Sequence, residues 1–392
     1  MKNKSVKYDI LLKGGRVIDP ANNIDDLFDV GISGGFIANV EKNISEKDAF
    51  NTVDVTDLIV CPGLVDLHVH LFGYQGAILP DAHCLPEGTT TVVDAGGSGH
   101  ITFDEFNEKI IQPSQVKIFA LLNIVGEGMV GQPEQNIQGM SVDLTSEKIK
   151  ERPDLIVGIK VAHNSGPTWE PIDRAIEAAT DSGVFVMVDQ TPTAARPMKE
   201  MMLDHLRKND IVTHCYALSK PMTDEKDKVK EYFFRAREKG VKFDVGHGAG
   251  SFSFRIAQAA IDQNFLPDTI STDMHRDSIL NNQATMPETM TKLLTLGMDL
   301  QDIVKRSTTD PAKIINHPEL GTLGQTAIAD IAVLKVNNGD FGMTDNGTAS
   351  RVMYSNKRIT CEMTIKNGKV LWDRNGLSRD DWSITPPTNP LL

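Results

Sequence analysis

The chain has 392 residues, of which 40% are hydrophobic, and a formal net charge of −13. A chain of this length can bury a large core and form more than one domain, and its acidic surface would repel phosphate backbones, so no nucleic acid partner is expected. No apolar run reaches the roughly 18 residues that a transmembrane helix needs, so no membrane association is expected.

The ends and the cysteines point to a cytoplasmic protein. Met1–Lys4 is basic, but no apolar stretch follows it, so no secretory signal is predicted. Four cysteines are scattered along the chain without a C-x-x-C motif. This usage is typical of reduced thiols in a cytoplasm.

The first part of the chain alternates apolar and polar residues. Residues 8–19 and 29–40 each show this alternation around a Gly-Gly pair, which indicates short strands. Cys61-Pro62-Gly63 then marks a boundary, after which the pattern changes.

The middle of the chain alternates strand-like and helix-like segments. The predicted strands are residues 65–70, 89–95, 117–125, 155–161, 183–190, 210–216, 242–248 and 269–274. Several are continuous apolar runs, as expected for strands covered on both faces, and amphipathic stretches lie between them. Eight such units in series predict an α/β fold, a (β/α)8 TIM barrel spanning residues 59–324.

The last part returns to strand patterns. Residues 329–336 are an apolar run, and Asn367-Gly368 lies between alternating residues, which is a strong hairpin signal. Residues 1–58 and 325–392 are therefore predicted to form one small, discontinuous β domain built from both termini.

Polar side chains lie at the ends of several predicted barrel strands, where such barrels place their chemistry. His68 and His70 end the first strand, and an H-x-H pair puts both imidazoles on one side of the pleat. Lys160, His214 and Asp273 end later strands. Together they predict a metal site that activates water, although packing histidines, a solvent-reaching lysine and a helix N-cap are the structural alternatives.

Two of these residues suggest specific chemistry. A buried Lys160 is costly without a partner, so a depressed pKa and reaction with carbon dioxide to give a carbamate are considered. Asp273 can both ligate a metal and take a proton from the attacking water. His247, in a Gly-His-Gly-Ala-Gly turn, is either a ligand-facing residue or part of a plain turn.

The pattern resembles the amidohydrolase superfamily over nearly the whole chain, and most closely its deacetylase branch related to dihydroorotases. The resemblance rests on residues 62–70, 88–96, 158–160, 213–215, 244–248, 271–275 and 324–334. It implies that His68, His70, Lys160 and Asp273 hold one divalent metal ion. It also implies that Lys160, His214 and a histidine from the fifth strand hold a second.

The chain departs from this pattern at Asp189, which stands where the fifth-strand histidine is expected. A carboxylate there would favour manganese or magnesium over zinc, and a short side chain leaves the second metal weak or missing. His163 is a substitute ligand or a loop histidine. No arginine follows Lys160, although the branch usually has one there.

The resulting prediction is a metal-dependent hydrolase of a small amide or ester, with metal-bound hydroxide attacking a carbonyl and Asp273 shuttling the proton. One or two divalent ions, zinc or manganese, are expected, with His68, His70, Lys160, Asp189, His214 and Asp273 as ligands. His247, His275 and His163 are the predicted substrate contacts, and a homo-oligomer is expected by analogy. The alternatives are a cyclic amidohydrolase, and a lyase, isomerase or pseudoenzyme because of Asp189.

Overall fold

The computed structural model describes residues 6–345 and 351–383 and contains two β-sheets with helices around one of them. This confirms the mixed α/β class. Within the described residues, no helix combines the length and the apolar character that crossing a membrane requires.

Five strands precede the parallel sheet. They are β1 (Tyr8–Asp19), β2 (Ile24–Ser33), β3 (Phe36–Glu41), β4 (Ala49–Asp54) and β5 (Ile59–Pro62). The strand β1 pairs antiparallel with β2 and parallel with β4 and β5. Its inward residues, such as Leu12 and Val17, are fully buried in a core of this sheet's own.

The second sheet is parallel and curled. Its strands are β6 (Leu64–Val69), β7 (Thr89–Gly99), β8 (Lys117–Asn123), β9 (Ile156–Ala162), β10 (Phe185–Asp189), β11 (Ile211–Val212) and β12 (Lys242–Phe243). They pair in sequence order, each with its chain neighbours. Most are buried along their whole length, which explains their continuous apolar sequences.

The eighth predicted strand, residues 269–274, joins both edges of this sheet without forming a regular ladder. Thr269 bridges Asp244 at one edge, and Met274 bridges Val69 at the other. Between these points the amide of Thr272 donates to the Asp66 carboxylate at 3.1 Å. Side chains thus satisfy backbone groups that a strand ladder would otherwise use.

Helices lie between the parallel strands and after the last of them. They are α1 (Pro80–Cys84), α2 (Phe103–Phe106), α3 (Val142–Glu151), α4 (Glu170–Ser182), α5 (Met198–Glu200), α6 (Glu231–Lys239), α7 (Phe254–Asp262), α8 (Arg276–Asn282), α9 (Met286–Thr295), α10 (Leu300–Ser307) and α11 (Thr309–Ile314). The short α2 and α5 continue as π-helical turns, Asn107–Ile111 and Met201–His205. Residues of α11 pack against the inward side chains of the first strands, which closes the amino end of the curled sheet.

Three C-terminal strands complete the first sheet. They are β13 (Ile331–Thr344), β14 (Val352–Lys366) and β15 (Lys369–Asp373), and β13 pairs antiparallel with β5. Asn367 and Gly368 both have positive φ, as the tight turn between β14 and β15 requires. The first sheet therefore contains strands from both ends of the chain, β1 to β5 before the parallel sheet and β13 to β15 after it.

Candidate metal centre

Three side chains converge where the first strand meets the eighth segment. His68, His70 and Asp273 are buried, and their ligand atoms lie within 4.8 Å of one another. The Oδ1 atom of Asp273 is 2.9 Å from Nε2 of His70 and 3.5 Å from Nε2 of His68. Among the described residues, these three form the one such group of histidine, cysteine or carboxylate ligands.

The local backbone aims these ligands. Val65 and Leu67 face the inner cluster closed by α11, whereas Val69 packs in the larger core around the sheet. A register irregularity lies between Asp66 and Val69, and irregularities of this kind re-aim side chains. Asp273 has φ +49°, so the chain leaves the extended conformation at the ligand itself.

A hydroxyl and a carboxylate fix the orientation of His68. Thr213 donates its hydroxyl proton to Asp244 at 2.8 Å, and the Oγ1 atom of Thr213 lies 3.0 Å from Nδ1 of His68. Because that hydroxyl proton is already used, Nδ1 of His68 must donate and Nε2 must present a lone pair. Burial, with a contribution from Lys160, lowers the pKa of His68 to about 3, so the ring is neutral.

These donors fit a divalent cation. Nε2 of His68 presents its lone pair 3.5 Å from Oδ1 of Asp273, so an imidazole nitrogen and a carboxylate oxygen, both common metal ligands, lie side by side in a buried site. Burial alone would raise the pKa of Asp273, but His68, His275 and His70 hold it well below its usual range. Two imidazoles and one carboxylate suit zinc and also manganese, so the donor set leaves the metal's identity open.

Lys160 lies beside this group, completely buried. Its Nζ atom is 3.0 Å from Nε2 of His68 and 3.9 Å from Oδ2 of Asp189. Burial lowers the pKa of the Lys160 amine. Gly96 makes room for the chain, since a Cβ there would lie 2.6 Å from Cβ of Lys160.

Asp189 and His214 form a second, adjacent arrangement. Oδ2 of Asp189 is 3.0 Å from Nε2 of His214, whose Nδ1 lies 2.6 Å from the carbonyl oxygen of Gly246. His214 has φ +58° and Gly246 has φ +46°, which explains why the predicted strands 210–216 and 242–248 end early as β11 and β12.

The other oxygen of Asp189 binds a residue that the sequence reasoning missed. Nζ of Lys220 donates to Oδ1 of Asp189 at 2.8 Å, and the Lys220 side chain is only 3% exposed. Lys220 lies in a loop after β11 with no strand or motif around it. A sequence alone gives no signal that such a lysine is buried.

The three predicted substrate-binding histidines occupy different places. His163 is exposed, and its Nδ1 atom lies 3.0 Å from the Glu134 carboxylate, which accepts its proton and orients the ring. Its Nε2 atom is 3.7 Å from Oδ2 of Asp189. The Glu134 carboxylate is the largest cause of a raised pKa at His163. His275 is buried beside Asp273, with Nδ1 3.7 Å from Oδ1 of Asp273.

His247 is fully buried and both of its ring nitrogens have protein partners. Nε2 lies 2.9 Å from Nζ of Lys292, Nδ1 lies 3.0 Å from the carbonyl oxygen of Gly248, and the ring stacks on Phe252. Contact between His247 and a substrate therefore stays a prediction, and it would require this ring or its partners to move.

Tyr74 covers the ligand group from outside and was not singled out in the sequence. Its ring stacks on His70 with 4.4 Å between centroids and meets His275 edge-on at 5.4 Å. Burial, followed by the charge of Asp273, raises the pKa of Tyr74 to about 12, so the hydroxyl keeps its proton. An aromatic residue soon after H-x-H was the available signal.

Comparisons with known proteins point to one enzyme family. The Amidohydrolase family model matches residues 248–371. A deacetylase of Brucella anthropi is 32% identical over 330 residues, which cover 81% of this chain and 82% of that protein. Crystal structures of an adenine deaminase and a dihydroorotase superpose with TM-scores of 0.85 and 0.82 at 28% and 30% identity; each covers 93% of this chain, and 100% and 99% of its own.

The chain belongs to the amidohydrolase superfamily. It is a hydrolytic enzyme that acts on C–N bonds, as the family and its named relatives indicate.

Proposed function

We propose that the chain is a metal-dependent hydrolase of a small amide or ester, similar in reaction to a deacetylase. The observation that carries this proposal is the convergence of His68, His70 and Asp273, three buried residues whose ligand atoms lie within 4.8 Å of one another. The deacetylases of Brucella anthropi and Agrobacterium fabrum, at 32% and 33% identity, support the substrate class.

His68, His70 and Asp273 would hold the cation, which when bound lowers the pKa of a water molecule and polarises the substrate carbonyl. Asp273 takes the proton of the attacking water and passes it to the leaving nitrogen or oxygen. Its Oδ2 atom lies against Gly248, where a Cβ would be 2.3 Å away, so the glycine gives this carboxylate its room.

We propose zinc as the resident ion and manganese as the alternative. Lys160 would add a ligand if it reacts with carbon dioxide to form a carbamate, and its burial and lowered pKa support that reaction. Substrate would contact His275, whose Nδ1 is 3.7 Å from Oδ1 of Asp273, and His163, whose Nε2 is 3.7 Å from Oδ2 of Asp189. The fully buried His247 would be the third contact.

A cyclic amidohydrolase is the second candidate function. The dihydroorotase structure supports it. That structure matches this chain at 30% identity and a TM-score of 0.82, about as well as the adenine deaminase structure does. The identity of Asp189 supports a third candidate, a lyase or isomerase on the same scaffold.

Three broader proposals accompany the activity. The curled sheet with its eighth segment would be a (β/α)8 barrel of residues 59–324, with a small β domain of residues 1–58 and 325–392. The bridges at both edges of segment 269–274 support the barrel. Four buried free cysteines support a cytoplasmic location, and family analogy supports a homo-oligomer with a small-molecule substrate.

Metal content and substrate screening together test the activity. Protein prepared without chelators, from medium supplied with zinc and manganese, is analysed for metal per chain and then assayed. N-acetyl amino acids and N-acetyl sugars represent acyclic amides, and dihydroorotate and hydantoins represent cyclic ones. Hydrolysis that disappears with a chelator and returns with zinc or manganese is the expected result. Metal-free protein that hydrolyses these amides equally well would contradict the proposal.

A further inference from the structure

The Asp189 carboxylate is held by a buried ammonium group. Nζ of Lys220 donates to Oδ1 of Asp189 at 2.8 Å and to the backbone carbonyl oxygen of Thr213 at 3.3 Å. Thr213 directly precedes His214, so the ammonium is fixed against the chain segment that carries that imidazole. Both partners of the ion pair are largely buried, with 3% and 14% of their side chains exposed.

The ligand atoms around Asp189 do not form a second site like the first. Oδ2 of Asp189 is 3.0 Å from Nε2 of His214 and 3.7 Å from Nε2 of His163. Within residues 6–345 and 351–383, however, the group made by His68, His70 and Asp273 is the one whose three ligand atoms all lie within 4.8 Å of one another.

The charges around Asp189 also oppose a second divalent ion. The Asp189 carboxylate already has a cationic partner, because Nζ of Lys220 lies 2.8 Å from its Oδ1 atom in a largely buried ion pair. An ion placed between Asp189 and His214 would lie near the Lys220 ammonium in a region with little water. Repulsion between like charges is strong in such surroundings.

We infer that Lys220 is a positioning residue whose ammonium pairs with Asp189 and excludes a second divalent cation, so that each chain holds a single ion. The inference rests on the proposed function, because it takes the group of His68, His70 and Asp273 to be the occupied one. The positive charge beside His214 would then come from the Lys220 side chain, which a chelator cannot remove, and not from a second metal ion.

Metal stoichiometry tests this inference without a substrate. Metal-free protein is reconstituted with excess zinc, freed of loose metal by gel filtration and analysed for zinc per chain. One zinc is expected for the unaltered protein and two for Lys220→Gln and Lys220→Met, which remove the charge. Lys220→Arg keeps the charge and should return the value to one.

Lys366→Met is the matched control. Lys366 and Asp330 form a similarly buried ion pair in the other sheet, with 6% and 3% of their side chains exposed. Loss of that pair should leave the zinc content at one per chain. Circular dichroism and thermal melting of every variant show whether it is folded, and Lys220→Gln retains a hydrogen-bond donor in case Lys220→Met does not fold.

Manganese provides a spectroscopic readout that a purely structural change would not alter. Electron paramagnetic resonance of the manganese-loaded unaltered protein should show an isolated ion, and that of Lys220→Gln an exchange-coupled pair. Two ions in the unaltered protein would overturn the inference and leave the proposed hydrolase intact. One ion in both proteins would also overturn it, and no bound ion in either would overturn the proposed function itself.

Discussion

Two carboxylates at the carboxyl edge of the parallel sheet, Asp273 and Asp189, lie next to histidines but face different charges. Oδ1 of Asp273 meets Nε2 of His68, which must carry a lone pair, and Nε2 of His70. Both oxygens of Asp189 have partners, His214 on one side and the Lys220 ammonium on the other. The difference teaches that a carboxylate beside a histidine becomes a metal ligand or a counter-ion according to what else is buried with it.

The largest effect is expected from Asp273→Asn. The amide keeps the size of the side chain but cannot take a proton from water, so kcat should fall by about 100- to 10,000-fold while the fold remains. Steady-state kinetics with the best substrate and thermal melting measure the two effects. Asp277→Asn, at an exposed carboxylate paired with Arg276, is the control and should leave kcat unchanged. Equal turnover in Asp273→Asn would remove this residue as proton shuttle.

A double-mutant cycle should show that Asp189 and Lys220 depend on each other. In metal-free protein, Asp189→Leu and Lys220→Met should each cost about 3 kcal/mol of unfolding free energy, because each leaves a buried charge without its partner. The double variant should lose clearly less than the sum. Urea denaturation measures all four proteins, and simple additivity would mean that the ion pair does not hold this region together.

Thr213→Val tests the support behind His68. Valine cannot accept from Nδ1 of His68 or donate to Asp244, so the zinc affinity should fall by about 10- to 100-fold. Competition with a chelating dye measures the affinity. Thr90→Val is the matched control, because the Thr90 hydroxyl is buried and has no hydrogen-bond partner among the described residues. Equal zinc affinities in the two variants would contradict the support of His68 by Thr213.

The smallest effect is expected at a second buried lysine, Lys292. Its Nζ atom bonds to His247 and to a backbone carbonyl oxygen. Burial lowers the pKa of Lys292 to about 8 from its ordinary value of 10.5. Between these values the unfolded chain binds more protons than the folded one, so this group makes the folded state more stable as pH rises.

The unfolding free energy of the unaltered protein, relative to Lys292→Met, should therefore increase between pH 8 and pH 10. The slope should be at most about 1.4 kcal/mol per pH unit. Urea titrations at several pH values measure it. A flat difference across this range would show that Lys292 titrates normally in the folded protein.

The sequence was most informative where ligands lie in or beside regular strands. His68 and His70 close β6, Lys160 lies in β9, and each strand has a distinctive apolar pattern, so the parallel α/β sheet and the cluster of these residues were predictable. The structure also brings Asp273 beside His70, although its segment makes only bridges and not a regular strand.

The supporting residues could not be predicted, because tertiary folding alone brings them together. Lys220 meets Asp189 across 31 residues and Glu134 meets His163 across 29, and neither pair has a periodic pattern or motif. His247 shows the same limit. Its glycine-rich surroundings predicted substrate contact, which stays a prediction, but no pattern in the sequence indicated that its ring contacts Lys292 and Phe252.

The eighth segment has a mechanical consequence. It joins β6 through only a few bonds, among them the amide of His70 to the Met274 carbonyl at 2.9 Å and the Thr272 amide to Asp66. His68 and His70 lie on one side of this seam and Asp273 on the other. An ion bound by all three residues would therefore link β6 to residues 269–274. Its removal would speed amide hydrogen exchange first along residues 269–274.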